Sequence, residues 1–356
     1  MVAAPLDRDD LRARVHKALS AFLSGQAPRL DAVSEALGPV QDALSDFLLT
    51  GGKRMRPAFC YWGWRGAGGV DSDGAIAAAA SLELLQACAL IHDDVMDGSD
   101  TRRGHPAMHR RFAALHRGEE WHGDPEAFGL SAAVLLGDLC LIWADELLNT
   151  SGMPADALLR AQPVYDEMRV ELMAGQYLDL LEQALGGGTV ESALRVARYK
   201  SAKYTVEKPL HMGAALAGAG QDVLDGYSGY GLPLGEAFQL RDDVLGVFGD
   251  PSETGKPAGD DLREGKRTAL VAMALSNATK AQTSVVRRHL GDPHLGEQGV
   301  AELREVLRDT GAVDRVEQLI AELMDDALGA LAAAPVEDEA RQVLEQLAIA
   351  ATSRTL

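Results

Sequence analysis

Three aspartates followed by two arginines form the most informative group in the sequence. Asp93, Asp94 and Asp97 end a long apolar, alanine-rich segment, and Arg102 and Arg103 follow within one short loop. On a helix, this spacing places Asp93 and Asp97 on one face with Asp94 beside them. Carboxylates that repel one another favour a divalent cation, and hard oxygen ligands suit Mg²⁺ or Ca²⁺. The arginines suit a phosphate group that bridges the metal ion and a guanidinium. The alternative interpretation of the three aspartates is a solvated acidic helix end.

A second aspartate pair makes the metal interpretation the stronger one. Asp242 and Asp243 also lie in an apolar helical segment, and a loop broken by glycine and proline follows them. That loop carries Lys256, Asp260, Asp261, Lys266 and Arg267. Two aspartate clusters, each followed by basic residues, predict one cavity with metals on two of its walls.

A glycine pair followed by basic residues is a third candidate element. Gly51 and Gly52 let the backbone approach an anion closely, and Lys53 and Arg56 supply positive charge. The glycine spacing of a Walker-type phosphate loop, Gly-x-x-x-x-Gly-Lys-Ser/Thr, is absent. The element is therefore either an anion-binding loop or only a basic turn.

Five segments together carry a resemblance to a known family. They are Gly51–Pro57, Asp93–Gly104, Gly175–Leu180, Lys200–Ser201 and Phe238–Asp243. In order and approximate spacing they resemble the trans-isoprenyl diphosphate synthases, most closely the geranylgeranyl diphosphate synthases, from about residue 30 to the C-terminus. The resemblance implies a Mg²⁺-dependent prenyltransferase. Its reaction would be the head-to-tail condensation of isopentenyl diphosphate with dimethylallyl, geranyl or farnesyl diphosphate to give geranylgeranyl diphosphate.

The resemblance also implies roles for individual side chains. The metal ligands, for three Mg²⁺ ions, would be Asp93, Asp94, Asp97, Asp242 and Asp243. Isopentenyl diphosphate would lie against Lys53, Arg56, Gln86 and Arg103. The allylic diphosphate would lie against Arg102, Lys200 and Lys256, and Lys266 would be a further anion contact. The other substrate-binding residues would be Gly52, Ser201 and Gln239. Residues one helical turn from the metals would orient waters or the reacting centre: Gln176, Asp179 and Gln239.

Some of these assignments have plain structural alternatives. Gln86 is alternatively a core amide bonded to backbone, and Lys266 is alternatively a solvated loop lysine. Related sequences often have a third aspartate at the position where this chain has Gly246. One carboxylate is therefore missing from the second cluster, and Asp250, one turn further on, is a candidate replacement.

Four residues before the first aspartate cluster are expected to limit the length of the product. At a helical rise of about 1.5 Å per residue, Ala89 and Cys88 lie about 6–8 Å before Asp93. Leu85 lies about 12 Å and Leu82 about 16 Å before it. By resemblance, bulky aromatics at the positions of Cys88 and Ala89 stop growth at C15. Both side chains are small here, which predicts a C20 product, with farnesyl or longer-chain products as the alternatives.

Two other functions have sequence features that distinguish them. A terpene cyclase would carry an Asn/Asp-Asp-x-x-Ser/Thr-x-x-x-Glu metal motif, which is absent after residue 220, and would lack the Gly-Gly-Lys-Arg element. A non-catalytic partner subunit would have lost first-cluster aspartates or the arginine pair, and this chain keeps both. A synthase is therefore the favoured interpretation, and the family suggests a homodimer.

Composition narrows the possible partners and location. The net charge is −19, which argues against binding nucleic acid or anionic lipid. Cys60, Cys88 and Cys140 lie in apolar contexts without metal-ligand spacing, as expected for reduced thiols in a cytoplasmic protein. The N-terminus shows no signal peptide. The longest apolar stretch, Ala75 to Ile91, contains polar residues and suits a buried helix better than a membrane span.

Hydrophobic periodicity predicts an all-α fold. Apolar residues recur at helical spacing along the chain, hydrophobic residues reach 47%, and aromatic residues are only 5%. We expect one domain over residues 1–356, with ten or more helices around a central cavity and a peripheral helix within residues 1–28. The predicted helices are 7–24, 29–49, 55–66, 72–97, 106–117, 126–150, 155–184, 190–218, 221–249, 267–276, 280–290, 298–309, 312–332 and 336–352.

Overall fold

A computed structural model describes residues 10–249 and 259–352 and confirms the all-α prediction. Two predicted site residues, Lys256 and Asp250, lie outside these ranges. The helices are α1 (Leu11–Asp31), α2 (Gly38–Leu49), α3 (Met55–Gly66), α4 (Asp73–Asp97), α5 (Met108–Gly118), α6 (Pro125–Asn149), α7 (Ala155–Ala184), α8 (Val190–Val196), a π-helix (Ala197–Glu207), α9 (Lys208–Ala217), α10 (Gln221–Phe248), α11 (Asp260–Glu264), α12 (Ala269–Asn277), α13 (Lys280–His289), α14 (Glu297–Asp309), α15 (Ala312–Ala333) and α16 (Asp338–Thr352). A 3₁₀ turn spans Glu35–Leu37.

The ends of α4 are set by local chemistry. Ser72 caps its N-terminus, because the hydroxyl accepts a hydrogen bond from the Ala75 N–H at 3.1 Å. Gly98 follows Asp97 with φ of 66°, a left-handed conformation that ends the helix and that glycine adopts readily. The first aspartate cluster therefore occupies the last turn of a helix whose end is fixed.

Helix α4 is buried along most of its length and forms the centre of the larger hydrophobic core. Its alanines Ala78, Ala79 and Ala80 and its leucines Leu82 and Leu85 are fully buried. Small side chains let α6 pack closely along it, and α1 and α3 also contact it. Because neighbours hold it on several sides, its carboxylates have a rigid support.

The predicted helix over residues 190–218 is instead three helical segments, with a π-helix between α8 and α9. Neighbouring helices approach this segment very closely. A Cβ atom on Gly175 of α7 would lie 2.4 Å from the backbone nitrogen of Lys200, and one on Gly235 of α10 would lie 2.6 Å from the backbone carbonyl oxygen of Ala202. The two glycines allow α7 and α10 to clamp the segment that carries Lys200.

The break predicted between the first two helices is wrong. Instead of ending before Pro28, α1 continues through it to Asp31, although proline removes one helical hydrogen bond. Tertiary contacts outweigh that cost, because Gln26 is buried and the Arg29 guanidinium pairs with Glu146 of α6 at 2.5 Å. The actual break follows Asp31 and contains the 3₁₀ turn.

A short β-ladder interrupts the helices directly after the first aspartates. Thr101–Arg102 pairs antiparallel with His105–Pro106. The turn between them has positive φ at Arg103 (53°) and Gly104 (77°). Because the ladder holds this loop in a defined shape, the two arginines point from a fixed turn rather than from a free loop.

Two buried clusters make up the core, and α10 contributes to both. The larger cluster includes Leu11, Val15 and Leu19 of α1, so this helix is packed into the core rather than peripheral. Leu234 of α10 belongs to the larger cluster, and Leu240 belongs to the smaller one. The assignment of the whole chain to one domain stays a prediction, because it includes residues outside the described ranges.

Two described helices, α4 and α6, are long and apolar enough to cross a membrane by length and composition alone. In α4, 72% of the most apolar window is buried inside the protein, as in the core helix of a globular fold. In α6 only 39% of that window is buried, which leaves an exposed apolar side. The expected absence of membrane insertion therefore stays a prediction.

Candidate active site

A cavity of about 730 Å³ lies between α4, α7, the π-helix, α10 and two loops. Most of the predicted site residues line it, although they come from segments far apart in the sequence. Those that line it are Gly52, Lys53, Arg56, Gln86, Ala89, Asp93, Arg102, Arg103, Gln176, Asp179, Lys200, Ser201, Gln239, Asp242, Asp243 and Lys266. The sequence-based expectation of one cavity with aspartates on two walls agrees with this arrangement.

Asp93 is the best-connected carboxylate in the cavity. The Lys200 ammonium lies 3.0 Å from its Oδ1 atom, and the Gln176 amide donates to the same oxygen at 3.1 Å. Arg102 lies 3.2 Å from its Oδ2 atom, and Lys200 also contacts Asp179 at 2.6 Å. The contacts of Gln176 and Asp179 agree with supporting positions beside the first cluster.

Asp94 and Asp97 are not among the residues that line the cavity. Asp94 is fully buried, and its Oδ1 atom accepts hydrogen bonds from two nitrogens of Arg102, with the Nε atom at 2.8 Å. The Asp97 side chain is 1% exposed, and neither of its oxygens accepts a hydrogen bond. The Lys266 ammonium is nearby, 3.3 Å from its Oδ2 atom. Asp97 thus keeps buried oxygen atoms available to a cation.

The surrounding charges shift the pKa values of this cluster in opposite directions. Burial alone would raise the pKa of Asp93, but Lys200, Lys266 and Arg102 lower it below its ordinary value. Burial and the Asp93 carboxylate raise the pKa of Asp97 to about 6, although Lys266 opposes the rise. The two pKa values differ because cations outweigh burial at Asp93, whereas burial and the Asp93 charge outweigh Lys266 and Lys200 at Asp97.

The second cluster lies on α10. The Gln239 amide donates to Asp243 at 2.8 Å, one helical turn away. Burial is the main cause that raises the pKa of Asp243 to about 8, and the Asp261 and Asp242 carboxylates raise it further. Burial and neighbouring carboxylates thus disfavour the charged form of Asp243, and an added metal ion would favour it.

The Gly51–Gly52 loop is anchored by a buried ion pair. Both glycines have positive φ, 73° and 86°. Arg54 also has positive φ, 56°, and its guanidinium is buried against Glu83 of α4 and donates to the Leu48 carbonyl at 2.5 Å. Arg54 is therefore a structural residue, and it leaves its neighbour Lys53 on the cavity wall.

Two further arginines face the cavity beside this loop. The Arg56 guanidinium donates to the Thr205 hydroxyl at 2.7 Å and lies 4.2 Å from the centre of the Tyr204 ring. Burial lowers the pKa of Arg103, and the neighbouring arginines lower it further. The Tyr204 hydroxyl donates to Gln86 at 2.7 Å, so the predicted amide position is held by a side chain rather than by backbone.

The four residues expected to limit chain length differ in whether they reach the cavity. Ala89 lines the cavity. Cys88, Leu85 and Leu82 are fully buried in the core, and the Cys88 thiol lies 3.8 Å from His92. Their effect on product length stays a prediction.

Comparisons with known proteins identify the family. Residues 39–308 match the Polyprenyl synthetase family. The chain belongs to the polyprenyl synthetase family. It is therefore a prenyltransferase with an isoprenyl synthase fold.

Relatives support this assignment over most of the chain. A geranylfarnesyl diphosphate synthase from Aeropyrum pernix is 33% identical over 305 residues, covering 83% of this chain and 88% of that protein. A geranylgeranyl diphosphate synthase from Saccharolobus solfataricus is 31% identical over 76% of each chain. A crystal structure of geranylgeranyl pyrophosphate synthase from Corynebacterium glutamicum, complexed with isoprenyl diphosphate and magnesium, has a TM-score of 0.94 and 42% identity. It covers 98% of this chain and 99% of that chain.

The donor set of this polyprenyl synthetase fits Mg²⁺ only together with a phosphate ligand. In residues 10–249 and 259–352, no three acidic, histidine or cysteine side chains converge as a ready metal site. The site instead offers carboxylates on two walls and buried Asp97 oxygens without hydrogen bonds. Mg²⁺ usually takes one or two carboxylates and completes its shell with water and substrate phosphates. The residues fit that mode of binding.

Sequence reasoning missed three residues that hold the site together. They are Glu83, Tyr204 and Glu264, which contact Arg54, Gln86 and Lys266 in turn. Glu264 also accepts a hydrogen bond from the Ser99 hydroxyl at 2.5 Å, joining the two loops that follow the aspartate clusters. Only Glu83 had a sequence signal, as the one carboxylate within the apolar stretch from Ala75 to Ile91.

We expect Glu83→Gln to destabilise the protein, because it leaves the buried Arg54 charge without a counter-charge. The free energy of unfolding should fall by about 3–5 kcal/mol. Glu339→Gln is the matched control, because Glu339 forms a more exposed pair with Arg65 at 3.2 Å, and such pairs contribute about 1 kcal/mol or less. Urea unfolding measures both, and equal losses would contradict the anchoring role of Arg54.

Proposed function

We propose that this chain catalyses the Mg²⁺-dependent, head-to-tail condensation of isopentenyl diphosphate with dimethylallyl, geranyl and farnesyl diphosphates, with geranylgeranyl diphosphate as the product. One observation carries the proposal: a single cavity has aspartates on two walls and two separate sets of cations. Each set suits one diphosphate group. The relatives named above act on the same class of substrate.

The metal-binding residues in this proposal are the five clustered aspartates: Asp93, Asp94, Asp97, Asp242 and Asp243. Three Mg²⁺ ions would be shared between the two walls and the allylic diphosphate. Burial and neighbouring carboxylates raise the pKa values of Asp243 and Asp97, and a cation bound on either wall would offset that repulsion.

The two cation sets would separate the two substrates. Lys53, Arg56 and Arg103 lie beside the Gly51–Gly52 loop and would hold isopentenyl diphosphate, with Gln86 nearby. Arg102, Lys200 and Lys266 lie among the aspartates and would hold the allylic diphosphate, with Ser201. The role of Lys256 stays a prediction, since this residue lies outside the described ranges.

The chemistry follows from this division. The allylic C–O bond breaks, the diphosphate leaves with the bonding electrons, and an allylic cation remains. Bound Mg²⁺ would neutralise charge on the leaving group, while Lys200 and Arg102 would stabilise the same charge from fixed positions. The double bond of isopentenyl diphosphate attacks the cation, and a proton is lost to the released diphosphate. The product, five carbons longer, keeps its own diphosphate and can react again.

Two alternatives from other classes are less well supported. A terpene cyclase needs no second diphosphate site, yet Lys53, Arg56 and Arg103 line the cavity together. A non-catalytic partner subunit needs no intact aspartate cluster, yet Asp93 is held by Lys200, Gln176 and Arg102. The observed contacts therefore favour a complete synthase.

Removal of the first metal cluster tests the proposed function. Asp93→Ala/Asp94→Ala should lower condensation of labelled isopentenyl diphosphate with farnesyl diphosphate by about a hundredfold or more. EDTA should abolish the wild-type activity, and added Mg²⁺ should restore it. Asp73→Ala removes an exposed aspartate at the other end of α4 and should leave the rate unchanged. Near-normal turnover by the double variant, or no product from the wild type with any primer, would refute the proposal.

A C20 product is the finer part of the proposal. Ala89 is a small residue on the cavity wall, one helical turn before Asp93, so a C15 tail meets no bulky side chain there. The two curated relatives named above make products of different length by name, C25 and C20. Farnesyl and longer-chain products therefore remain the alternatives.

Ala89→Phe should shorten the product to C15, because the ring would fill space beside the growing tail. Ala89→Ser keeps the side chain small and should keep the C20 product. Cys88→Phe should also shorten the product and Leu85→Ala should lengthen it, although both residues lie in the core. Mass spectrometry of the dephosphorylated products measures chain length. An unchanged product in all the Phe and Ala variants would show that this part of α4 does not limit the chain.

A homodimer would explain an exposed apolar surface on two helices. On α6 the exposed residues Phe128, Leu135 and Ile142 recur every seven positions, and Val170 and Tyr177 of α7 have the same spacing. Arg169 of α7 pairs with Asp145 of α6 at 3.3 Å, so the helices are neighbours. Apolar stripes with this period suit helix-to-helix packing with a second copy about a two-fold axis. The proposed location of this dimer is the cytoplasm.

Leu135→Asp/Ile142→Asp should convert a dimer of twice 37.8 kDa into a monomer, because the new charges would be buried at the interface. Val33→Asp places the same charge at an exposed apolar residue outside the two stripes and is the control. Sedimentation equilibrium measures the mass of each protein. A monomeric wild type, or a dimeric double variant, would rule out this interface.

A further inference from the structure

One face of α7 carries three acidic residues and a glycine at intervals of four positions. They are Glu167, Glu171, Gly175 and Asp179. Residues at this spacing lie above one another on a helix. The π-helix and α9 pack on α7, and together they carry three lysines: Lys200, Lys203 and Lys208. Each acidic residue pairs with one lysine, in reverse order along the chain, and we call these pairs the ion-pair row.

Two pairs of the ion-pair row lie outside the active site. The Lys208 ammonium lies 2.6 Å from Glu167, and Lys203 pairs with Glu171. Lys208 also lies 3.6 Å from Glu171, which joins the two pairs into one group of charges. Burial opposes the charge of Lys203, but Glu171 and Glu207 raise its pKa above the ordinary value. The four paired side chains do not line the cavity, so the proposed reaction assigns them no role.

The third pair of the row lies in the active site. The Lys200 ammonium lies 2.6 Å from Asp179 and 3.0 Å from Asp93 of the first cluster. Gly175 lies on α7 midway between Glu171 and Asp179, at the point where the backbone of Lys200 comes closest to that helix. The row therefore ends on the lysine that is proposed to hold the allylic diphosphate.

The winding of the π-helix decides which of its side chains face the cavity. A π-helix is an uncommon conformation that occurs frequently at functional sites, and its hydrogen bonds span one residue more than those of an α-helix. A shift by one residue rotates a helical side chain by about 100° around the axis. Such a shift would turn Lys200, Ser201 and Tyr204 away from the cavity that they line. Contacts on the side away from the cavity can prevent it.

From these contacts, and resting on the proposed role of Lys200, we infer that Glu171 and Lys203 are positioning residues for the reaction. Their pairing fixes the register of the π-helix against α7. That register sets the position of the Lys200 ammonium relative to the allylic diphosphate. Glu171 and Lys203 contact neither substrate in this arrangement and act through Lys200.

Glu171→Gln tests the inference without leaving a buried lysine alone. Lys203 keeps Glu207 at 3.8 Å, and Lys208 keeps Glu167. Isothermal titration calorimetry with Mg²⁺ and farnesyl diphosphate, in the absence of isopentenyl diphosphate, measures binding without condensation. The Kd for farnesyl diphosphate should rise about tenfold, the order expected when one charge-assisted contact is lost. The KM for isopentenyl diphosphate should stay close to the wild-type value, whereas a mere loss of folded protein would change neither constant.

A double-mutant cycle and two further variants separate positioning from stability. If Glu171 acts through Lys200, Glu171→Gln should add little further loss of affinity to Lys200→Ala. Lys203→Arg keeps the charge and should bind farnesyl diphosphate nearly as the wild type does, whereas Lys203→Met should lose about as much affinity as Glu171→Gln. Glu191→Gln removes a carboxylate from an exposed pair with Arg195 on α8 and is the control with wild-type affinity. Thermal unfolding checks that each variant folds.

Two results would overturn the inference: wild-type affinity for farnesyl diphosphate in Glu171→Gln, or a double variant whose loss of binding free energy equals the sum of the two single losses. Failure of the proposed function is a separate outcome. If the wild type bound farnesyl diphosphate but formed no longer prenyl diphosphate from it, while the pattern of affinities held, the positioning role would stand and the assigned reaction would fall.

Discussion

Compensation of buried charge is the constraint on which the rest of this structure depends. Asp94 is fully buried and Asp93 is nearly so, and an isolated carboxylate in such surroundings is strongly disfavoured. Arg102 and Lys200 offset that cost by direct contact. The guanidinium comes from the β-ladder loop and the ammonium from the π-helix, so these two elements supply charges that keep the pKa of Asp93 low.

This need for nearby cations explains several features of the backbone. The π-helix must lie close to α4, and Gly175 and Gly235 allow it because neither carries a side chain that would meet its backbone. The turn after α4 must present Arg102 at once, and Gly98 ends the helix directly after the last aspartate. The close approach of the π-helix to α4 and the abrupt end of α4 thus both bring cations next to the aspartates.

The sequence predicted the elements well wherever local chemistry decides them. The predicted bounds of helix α4 agree with the structure within one residue, since Ser72 and Gly98 mark its ends. Most of the other cavity residues were expected from the resemblance to a known family rather than from local chemistry. The sequence misjudged Pro28, where contacts from α6 outweigh a lost hydrogen bond. It also missed the pairing of Arg54 with Glu83 and the hydrogen bond from Ser99 to Glu264. Each of those joins distant segments, and no local pattern records which partners the fold brings together.

The same balance of charge shows how so acidic a chain can hold an anion. The net charge of −19 is spread over the whole molecule, whereas three arginines lie together at the Gly51–Gly52 side of the cavity: Arg54, Arg56 and Arg103. Their mutual repulsion lowers the pKa of Arg103, beyond the effect of burial. Glu83 compensates only part of this charge. A diphosphate placed among them would relieve repulsion on this side of the cavity, as a cation would relieve it among the aspartates on the other.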